Sequence, residues 1–592
     1  MLKPNRSDLD YQALVRRARR LQPGTGQKLK VAVLADVSTQ HLAPLLRVLF
    51  ADNGVDAELY EAGFDTIQLE AYNPDSGLYR FAPQVIIVLQ SINRLRSLYY
   101  DFKGERAEFA TAQADDIEKV WQAIQSHVQV PIVQSTFVVP VERPYGHFGA
   151  KVAGTLQGAV LDLNRELALR SRRHASVFSC DVDYIAAWAG RRHFLDEKLW
   201  ALAKSLCALE LLPDVAQSLV DISLATCGGR AIKCVVLDLD NTLWGGVVGD
   251  DGLEGIGLGD LDEGGAFRYF QLLLRDLWQR GIILAVCSKN NEDTARRVFR
   301  EHPDMILREE HIAVFVANWE DKATNIARIR EKLNIGYDAM VFLDDNPFER
   351  NLVRQLLPQI LVPDLPEDPG LYVRAVCELN LFESAGQSAL DSQRTAMYQV
   401  QEKREAELKH FSDINEYLKS LQTNVDCRRF EPQNLARIAQ LIQRSNQFNL
   451  TTRRYSEAQC EALMRDATLC FPFSINVRDR FGDFGLVNVV VLRHCGRSLE
   501  IDSFLMSCRV LQRGIEQFAM NKIFDYAQQQ GFDEVVGRYI PTAKNVMVKS
   551  FFEQFGFTQS ADKGEQGSEW HLATSSYVPR EVFVGEHATA TP

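Results

Sequence analysis

The sequence predicts a multidomain α/β protein, and three observations support this prediction. At 592 residues the chain is longer than one hydrophobic core can serve, so three or four domains are expected. Apolar strand-like runs alternate with amphipathic helical segments through much of the chain, which is typical of parallel sheets covered by helices. The composition, with 46% hydrophobic and 24% charged residues, is that of an ordinary globular protein.

Residues 1–228 are predicted to form the first α/β domain. The stretch KLKVAVLADVST (28–39) is a predicted strand that ends in small polar residues, and an amphipathic helix, HLAPLLRVLFADNG, follows it. Three later stretches, DAELYEAGF, APQVIIVLQS and VPIVQSTFVVP, are further predicted strands. Helical segments separate them, so we expect a parallel sheet with helices on both faces.

Residues 229–375 are predicted to form a second α/β domain. Its predicted elements are a strand (234–239), a helix (265–280), a strand (282–287), a helix (291–301), a strand (312–316), a helix (321–334) and a strand (339–343). This regular alternation again indicates a parallel sheet.

The C-terminal part of the chain has a different pattern. Residues 376–424 are polar and rich in Gln, Glu and Lys, and we predict a helical linker there. Residues 425–577 mix helices with strand pairs, which predicts an α+β domain, and 578–592 are predicted to be a tail.

Charge and cysteine usage limit the classes of partner and compartment. The net charge of −12 argues against nucleic acid or a membrane surface as the main partner. The 11 cysteines contain no Cys-x-x-Cys pair, which indicates a reduced, cytoplasmic protein with mostly packed thiols. The first twenty residues are charged and lack the apolar core of a signal peptide, and no apolar stretch is long enough to span a bilayer.

The second domain carries chemically suited residues at the ends of four successive predicted strands. They are Asp238 and Asp240 in VVLDLDNT, Ser288 in AVCSKN, Lys322 in NWEDKATN, and Asp344 and Asp345 in VFLDDNP. The carboxyl ends of parallel strands form the usual ligand-binding edge of an open sheet. Hard carboxylate ligands suit Mg²⁺. An aspartate can attack phosphorus, a second can transfer protons, and a hydroxyl and an ammonium can hold phosphate oxygens.

A structural alternative is that each aspartate only caps the helix that follows it. Helix capping could explain an aspartate at a single strand end. Four strand ends carrying a carboxylate pair, a hydroxyl, an ammonium and a second carboxylate pair in this order favour a phosphoryl-transfer site.

These motifs resemble those of the haloacid dehalogenase (HAD) phosphohydrolase superfamily. The resemblance implies a Rossmann-like α/β domain in which Asp238 is the nucleophile and Asp240 the general acid/base, with Ser288 and Lys322 as further catalytic residues. It implies Mg²⁺ held by Asp238, Asp240, Asp344 and Asp345, the second of these through its backbone carbonyl. The neighbouring substrate-binding candidates are Asn241, Thr242, Lys289 and Asn290. The intervals between motifs leave no room for a large cap domain.

Longer stretches resemble one branch of that superfamily, the FkbH-like proteins. They include TLWGGVVGDDG, CSKNNEDTA and FLDDNPFERNLVR in the second domain, and NQFNLTTRRYS and FLMSCRVLQRGIE near the C-terminus. The resemblance implies an SGNH-hydrolase-like first domain and a GNAT-like acyltransferase domain at the C-terminus. It also implies an activity, the transfer of a glyceryl unit from 1,3-bisphosphoglycerate to an acyl carrier protein supplied in trans, with loss of phosphate, in polyketide-type biosynthesis.

The flanking domains depart from the patterns of active enzymes. LADVS offers Ala35, Asp36 and Ser38 where an SGNH esterase has Gly-Asp-Ser, and His193 lacks an acid three residues before it. We therefore expect a structural or docking role for the first domain. In RVLQRG, Gln512 stands where an acetyl-CoA-dependent enzyme has the first glycine of its pyrophosphate loop, which disfavours CoA binding.

Cys508 is the candidate acyl-carrying residue. It ends a predicted strand and precedes a helix predicted to begin near Val510, so helix N-terminal amides would favour the thiolate. Arg509 and Arg513 add positive charge and are candidates for binding an acyl phosphate. The alternative is a packed strand-end thiol. Cys287, beside Ser288, is expected to point into the core because side chains alternate along a strand.

Two other functions are compatible with the same sequence. One is a plain phosphomonoesterase whose flanking domains select the substrate. The other is a scaffold that binds carrier protein without chemistry.

Overall fold

The computed structural model describes residues 10–586 apart from 23–25, 229–230, 387–394, 396–413, 446, 467, 481, 508–509, 512, 543–544 and 563–566. The chain divides into two compact units. Residues 1–231 and 376–385 form the first, and residues 232–375 and 386–592 form the second.

The first unit contains a parallel sheet of five strands, in the order β2-β1-β3-β4-β5. The strands are β1 (Gln27–Ala35), β2 (Val55–Glu61), β3 (Val85–Leu89), β4 (Ile132–Ser135) and β5 (Val177–Cys180). The helices are α1 (Tyr11–Ala18), α2 (Leu42–Asp52), α3 (Ile67–Tyr72), α4 (Gly77–Phe81), α5 (Ile92–Asp101), α6 (Phe109–His127), α7 (Leu156–Ser171), α8 (Val182–Ala189), α9 (Arg191–Phe194), α10 (Glu197–Ala203) and α11 (Leu212–Thr226). The predicted parallel α/β sheet is confirmed.

The second unit begins with a four-stranded parallel sheet in the order β8-β7-β6-β9. Its strands are β6 (Cys234–Leu237), β7 (Ile283–Ser288), β8 (Ile312–Ala317) and β9 (Met340–Leu343). The helices are α12 (Val248–Gly255), α13 (Asp262–Gln279), α14 (Glu292–Glu301), α15 (Lys322–Leu333) and α16 (Pro347–Leu356). A further helix, α17 (Tyr372–Glu378), begins in this unit, and its residues from 376 onward belong to the first unit. Every residue of β6 is buried, as expected for a central parallel strand covered on both faces. Each predicted strand and helix of this region is present.

A mixed sheet occupies the C-terminal part of the second unit, in the order β15-β16-β14-β13-β12-β11-β10-β17. Its strands are β10 (Thr423–Arg429), β11 (Cys470–Asp479), β12 (Gly482–Cys495), β13 (Ser498–Met506), β14 (Glu534–Tyr539), β15 (Thr558–Asp562), β16 (Ser568–Ala573) and β17 (Val584–Glu586). The helices are α18 (Ile414–Ser420), α19 (Leu435–Arg444), α20 (Glu457–Arg465), α21 (Ile515–Gln530) and α22 (Phe551–Gln554). The predicted α+β architecture is confirmed.

The parallel strands β13 and β14 pair only along their first residues, and a short segment of chain lies between them beyond that point. The amide of Leu450 donates to the carbonyl of Phe504 (3.1 Å), and the amide of Ile540 donates to the carbonyl of Leu450 (2.8 Å). The amide of Met506 donates to the carbonyl of Phe448 (3.0 Å). The segment 448–450 therefore satisfies backbone groups of both strands where they diverge.

Two sequence-based boundaries differ from the structure. The helix predicted to begin near Val510 begins instead at Ile515, because Gly514 adopts a left-handed conformation (φ +81°) that interrupts helical geometry. Within the predicted linker, residues 376–385 belong to the first unit, and β10 begins at Thr423. Most of the remaining linker lies outside the described residues.

Candidate active site

The carboxyl ends of β6 to β9 bring the predicted residues together at one edge of the sheet. Asp238 directly follows β6, Ser288 ends β7, and Asp344 directly follows β9. Lys322 is the first residue of α15, whose start is fixed by Asp321, because the Asp321 carboxylate accepts the amide hydrogen of Thr324 (2.9 Å). Parallel strands in this order place all four loops on the same side, as the sequence predicted.

Lys322 is the buried cation of the site. Its ammonium lies 2.7 Å from Oδ2 of Asp238 and 2.6 Å from Oδ2 of Asp344, and only 3% of the residue is exposed. Burial alone would lower the pKa of Lys322, but the two carboxylates outweigh it and raise that pKa above its usual value. Burial, reinforced by the negative charge of Asp238, raises the pKa of Asp344 to about 7.

Three carboxylates form a set that fits a hard divalent cation. Side-chain oxygens of Asp238, Asp344 and Asp345 all lie within 4.8 Å of one another. Among the described residues, Oδ1 of Asp238 is buried and has no hydrogen-bond donor, although a buried carboxylate oxygen normally requires a partner. An all-oxygen donor set with one unsatisfied oxygen is the chemistry that Mg²⁺ prefers.

The Asp240 carboxylate is held in place by three donors. Its Oδ1 accepts from Nε1 of Trp244 (2.9 Å) and from the amide of Val248 (3.1 Å), and its Oδ2 accepts from Nδ2 of Asn290 (2.9 Å). Burial raises the pKa of Asp240, and the Val248 and Trp244 donors oppose that shift. The carboxylate is therefore fixed two residues from Asp238, and its side chain lies outside the three-carboxylate set.

Asn241 and Thr242 both shape the loop after β6. Asn241 adopts a left-handed conformation (φ +55°), and its Oδ1 accepts from the amide of Gly246 (2.9 Å). The fully buried Thr242 hydroxyl donates to Oδ1 of Asp345 (3.0 Å) and accepts from the Asp345 amide (3.2 Å). Both side chains therefore form hydrogen bonds within the protein. Their contact with substrate stays a prediction.

We expect Thr242→Val to weaken Mg²⁺ binding without abolishing it. The substitution removes the hydroxyl that orients Asp345, and loss of such a supporting hydrogen bond typically costs about 10- to 100-fold in metal affinity. Titrating phosphate release with Mg²⁺ measures the change. Thr294→Val, which removes a hydroxyl on the surface of α14, is the control and should leave the titration unchanged. Equal Mg²⁺ affinity in both variants would contradict the role of Thr242.

Residues that the sequence analysis missed support the site from α16. Glu349, 5% exposed, accepts from the Lys289 ammonium (2.6 Å), and the Arg350 guanidinium donates to the carbonyls of Asp344 (2.8 Å) and Asp345 (2.6 Å). Both follow the Asp-Asp pair on the next helix, but spacing alone does not reveal that their side chains turn back toward the strand end.

The predicted acyl-transfer residues have different outcomes. Cys508 and Arg509 lie outside the described residues. Arg513 is 9% exposed, lies 3.5 Å from Oδ2 of Asp479, and stacks on the ring of Phe484. Cys287 is fully buried in the core of its sheet, which raises its pKa, so the predicted packed thiol is confirmed.

The first unit holds a buried carboxylate at the end of β1. Asp36 is 2% exposed and accepts from the Ser91 amide (2.8 Å), and burial raises its pKa to about 7. His193 is exposed and lies 3.7 Å from Glu210. Among the described residues no hydrogen bond joins Ser38 to His193, so the structural or docking role of this unit stays a prediction.

Comparisons with known proteins identify the family to which this chain belongs. Residues 30–224 match the family described as FkbH, N-terminal domain. A solved structure from Bacteroides fragilis, the N-terminal part of the protein BF1531 containing a phosphatase domain complexed with Mg, is 38% identical over 64% of this chain and 100% of that chain, with a TM-score of 0.60. This chain belongs to the FkbH-like family of HAD proteins. No curated protein matches it.

Two further similar structures have lower sequence identity to this FkbH-like protein. The ribosomal-protein-S18-alanine N-acetyltransferase of Escherichia coli is 10% identical (25% of this chain, 92% of that chain, TM-score 0.20). Ard1 of Thermoplasma volcanium is 16% identical (26% and 98%, TM-score 0.21). TM-scores this low do not indicate a shared activity. None of the described helices is long and apolar enough to cross a membrane.

Proposed function

We propose that this FkbH-like protein is a Mg²⁺-dependent phosphoryl-transfer enzyme that acts on a small phosphorylated acyl substrate. The observation that carries the proposal is the Asp238–Lys322–Asp344–Asp345 cluster. One Asp238 oxygen is bound to Lys322, and the other has no hydrogen-bond partner within the part of the chain that the structure describes. The Mg²⁺ in the Bacteroides fragilis structure supports the choice of metal. When bound, Mg²⁺ supplies charge neutralisation at the phosphate oxygens.

The chain's own residues would carry the two half-reactions. The Asp238 carboxylate attacks phosphorus, the ester P–O bond breaks, and Asp240 donates a proton to the departing oxygen. Asp240 then takes a proton from water and the water oxygen attacks phosphorus. The P–O bond to Asp238 breaks, which restores the Asp238 carboxylate and releases inorganic phosphate. Ser288 and Lys322 hold the phosphate oxygens through both steps. Lys322 also orients the Asp238 carboxylate before attack, because its ammonium lies 2.7 Å from Oδ2 of Asp238.

The finer proposal is that the substrate is 1,3-bisphosphoglycerate and that the glyceryl unit is passed to an acyl carrier protein. Family membership and the α+β fold of the C-terminal region support it, and we propose that this region is GNAT-like. The Cys508 thiolate would attack the acyl carbon, forming a C–S bond while the C–O bond to phosphate breaks and phosphate leaves with the electron pair. The carrier's phosphopantetheine thiolate would then displace Cys508, and the HAD site would remove the remaining phosphomonoester.

We expect the wild-type protein to gain the mass of a glyceryl or phosphoglyceryl group when it is incubated with 1,3-bisphosphoglycerate and Mg²⁺. Cys508→Ala should abolish this gain because the substitution removes the attacking thiolate. Intact-protein mass spectrometry, with and without holo carrier protein, measures both the adduct and its transfer. Cys287→Ala and Cys495→Ala are the controls, since Cys287 is buried and Cys495 is an exposed thiol that reports adventitious acylation.

Each other outcome identifies a different function. Phosphate release without any acyl adduct would overturn the transfer step and leave a phosphomonoesterase. Carrier binding with neither phosphate release nor an adduct would leave a scaffold. An adduct that survives in Cys508→Ala would place the acyl site on another residue.

A further inference from the structure

The antiparallel strands β12 and β13 contain a β-bulge at Asp502, whose carboxylate is buried. Leu492 faces Ile501 and Val491 faces Ser503, so Asp502 is the extra residue between two paired positions. The side chain of Asp502 is fully buried. Bulges commonly redirect one side chain beside a functional site. A buried carboxylate at this position requires cationic or hydrogen-bonding partners.

Two arginines share that carboxylate. Arg493 donates from Nε to Oδ1 of Asp502 (2.9 Å), and Arg453 donates from Nη1 to the same oxygen. The Tyr455 hydroxyl donates to Oδ2. The loop that carries Arg453 is anchored as well, because the Thr451 hydroxyl donates to the Asp502 carbonyl (2.9 Å). The two guanidiniums are therefore fixed, while 38% and 40% of their side chains remain exposed.

The charge ratio at Asp502 differs from that of the buried ion-pair network around Arg170. In the first unit, three carboxylates surround the single buried Arg170, namely Asp115, Glu118 and Glu166. On Asp502 the ratio is reversed, with two guanidiniums on one carboxylate. The Asp502 cluster therefore keeps a net positive charge, whereas the Arg170 cluster does not.

Another arginine pair shows what a purely structural arrangement looks like. Arg350 and Arg354 both contact Asp364, but their other N–H groups donate to backbone carbonyls. For Arg453 and Arg493, the acceptors contacted among the described residues are Asp502 and Tyr455. Since a guanidinium has five N–H donors, each arginine retains N–H groups that contact no acceptor among the described residues.

The carboxylate opposite Arg493 on the paired strand is engaged by another arginine. Glu500, opposite Arg493 across the strand pair, lies 3.3 Å from the Arg538 guanidinium. The adjacent Arg454 is largely buried and donates to the carbonyl of Ser445 (3.1 Å), which adds a further cation beside Arg453. The local charge thus favours an anionic ligand.

We propose that Arg453 and Arg493, anchored on Asp502, form a binding site for the phosphate of a phosphate ester. Two fixed, partly exposed guanidiniums match the paired oxygens of a phosphate, which arginine recognises in a planar, bidentate manner. The ligand would come either from the phosphopantetheine arm of a carrier protein or from a small phosphorylated metabolite. The site goes beyond the proposed function and does not depend on the chemistry at Asp238 or Cys508.

The test is isothermal titration of the full-length protein in Mg²⁺-free buffer at low salt. The probes are 4′-phosphopantetheine, pantetheine and inorganic phosphate. We expect 4′-phosphopantetheine to bind at least about tenfold more tightly than pantetheine, and the double substitution Arg453→Gln with Arg493→Gln to remove that advantage. Inorganic phosphate that binds equally well and is equally sensitive to the substitutions would support the site and point to a small metabolite.

Two controls separate ligand binding from folding. Arg428→Gln removes a comparably exposed arginine whose charge is balanced by Asp426 and Glu431, and it should leave the affinity unchanged. If the double glutamine variant does not fold, the double lysine variant keeps both charges but loses the planar fork, and it should bind with intermediate affinity. Wild-type affinity for 4′-phosphopantetheine in a folded variant of either kind overturns the proposal.

Discussion

Phosphate release should fall by about 10⁴-fold or more when Asp238 is replaced by asparagine, since loss of a nucleophile removes a whole catalytic pathway. The amide is nearly the same size as the carboxylate but cannot form the phospho-enzyme. It also lacks the charge that Lys322 binds at 2.7 Å. A steady-state assay of phosphate release from a simple phosphomonoester measures the loss, because the acyl phosphate of 1,3-bisphosphoglycerate would also be released in the proposed reaction of Cys508.

The control for Asp238→Asn is Asp250→Asn, an exposed aspartate at the start of α12. It should release phosphate at the wild-type rate. Thermal unfolding of both variants checks that the fold is intact. A folded Asp238→Asn protein with near-wild-type release would overturn the assignment of Asp238 as nucleophile.

Lys322→Met is expected to lower both the free energy of unfolding and the rate of phosphate release. Mg²⁺ should restore part of the stability but not the rate. The substitution leaves the buried carboxylates of Asp238 and Asp344 without their shared cation, so without metal we expect a loss of about 3–5 kcal/mol in the free energy of unfolding. Added Mg²⁺ should recover part of this loss, because a divalent cation can replace the missing charge. Phosphate release at saturating Mg²⁺ should remain about 10²- to 10³-fold slower.

Denaturant unfolding in chelator and in Mg²⁺ measures the stability of the Lys322→Met variant. Lys332→Met removes an exposed lysine from the same helix, α15, and should change neither stability nor rate. If Mg²⁺ stabilises the wild-type and Lys322→Met proteins equally, the ammonium and the metal do not share the same carboxylates.

The strand-end residues of the HAD site were predictable from sequence because their positions follow from the geometry of a parallel sheet. Once β6 and β9 are recognised as buried strands, Asp238 and Asp344 must lie at the same edge. The orientation of individual side chains was not predictable in the same way. The Asp240 carboxylate bonds to Trp244 and Asn290, which depends on how two loops fold back.

The C-terminal region was less predictable for a related reason. Its contacts join residues far apart in sequence, as where Arg453 meets Asp502 at a strand bulge. A bulge shifts the alternation of side chains by one residue, and the hydrophobic pattern does not show where that shift occurs. The late start of α21, at Ile515, likewise depends on the conformation of Gly514.

The segment 448–450, between β13 and β14, also has a consequence for the order of folding during synthesis. Its partners, Phe504 and Ile540, are translated after it, so the ribosome must deliver both strands before the segment can complete its hydrogen bonds. We therefore expect the hydrogen bonds of segment 448–450 to remain incomplete until β14 and Ile540 have emerged from the exit tunnel. During that interval the diverging edges of the sheet are open to chaperones.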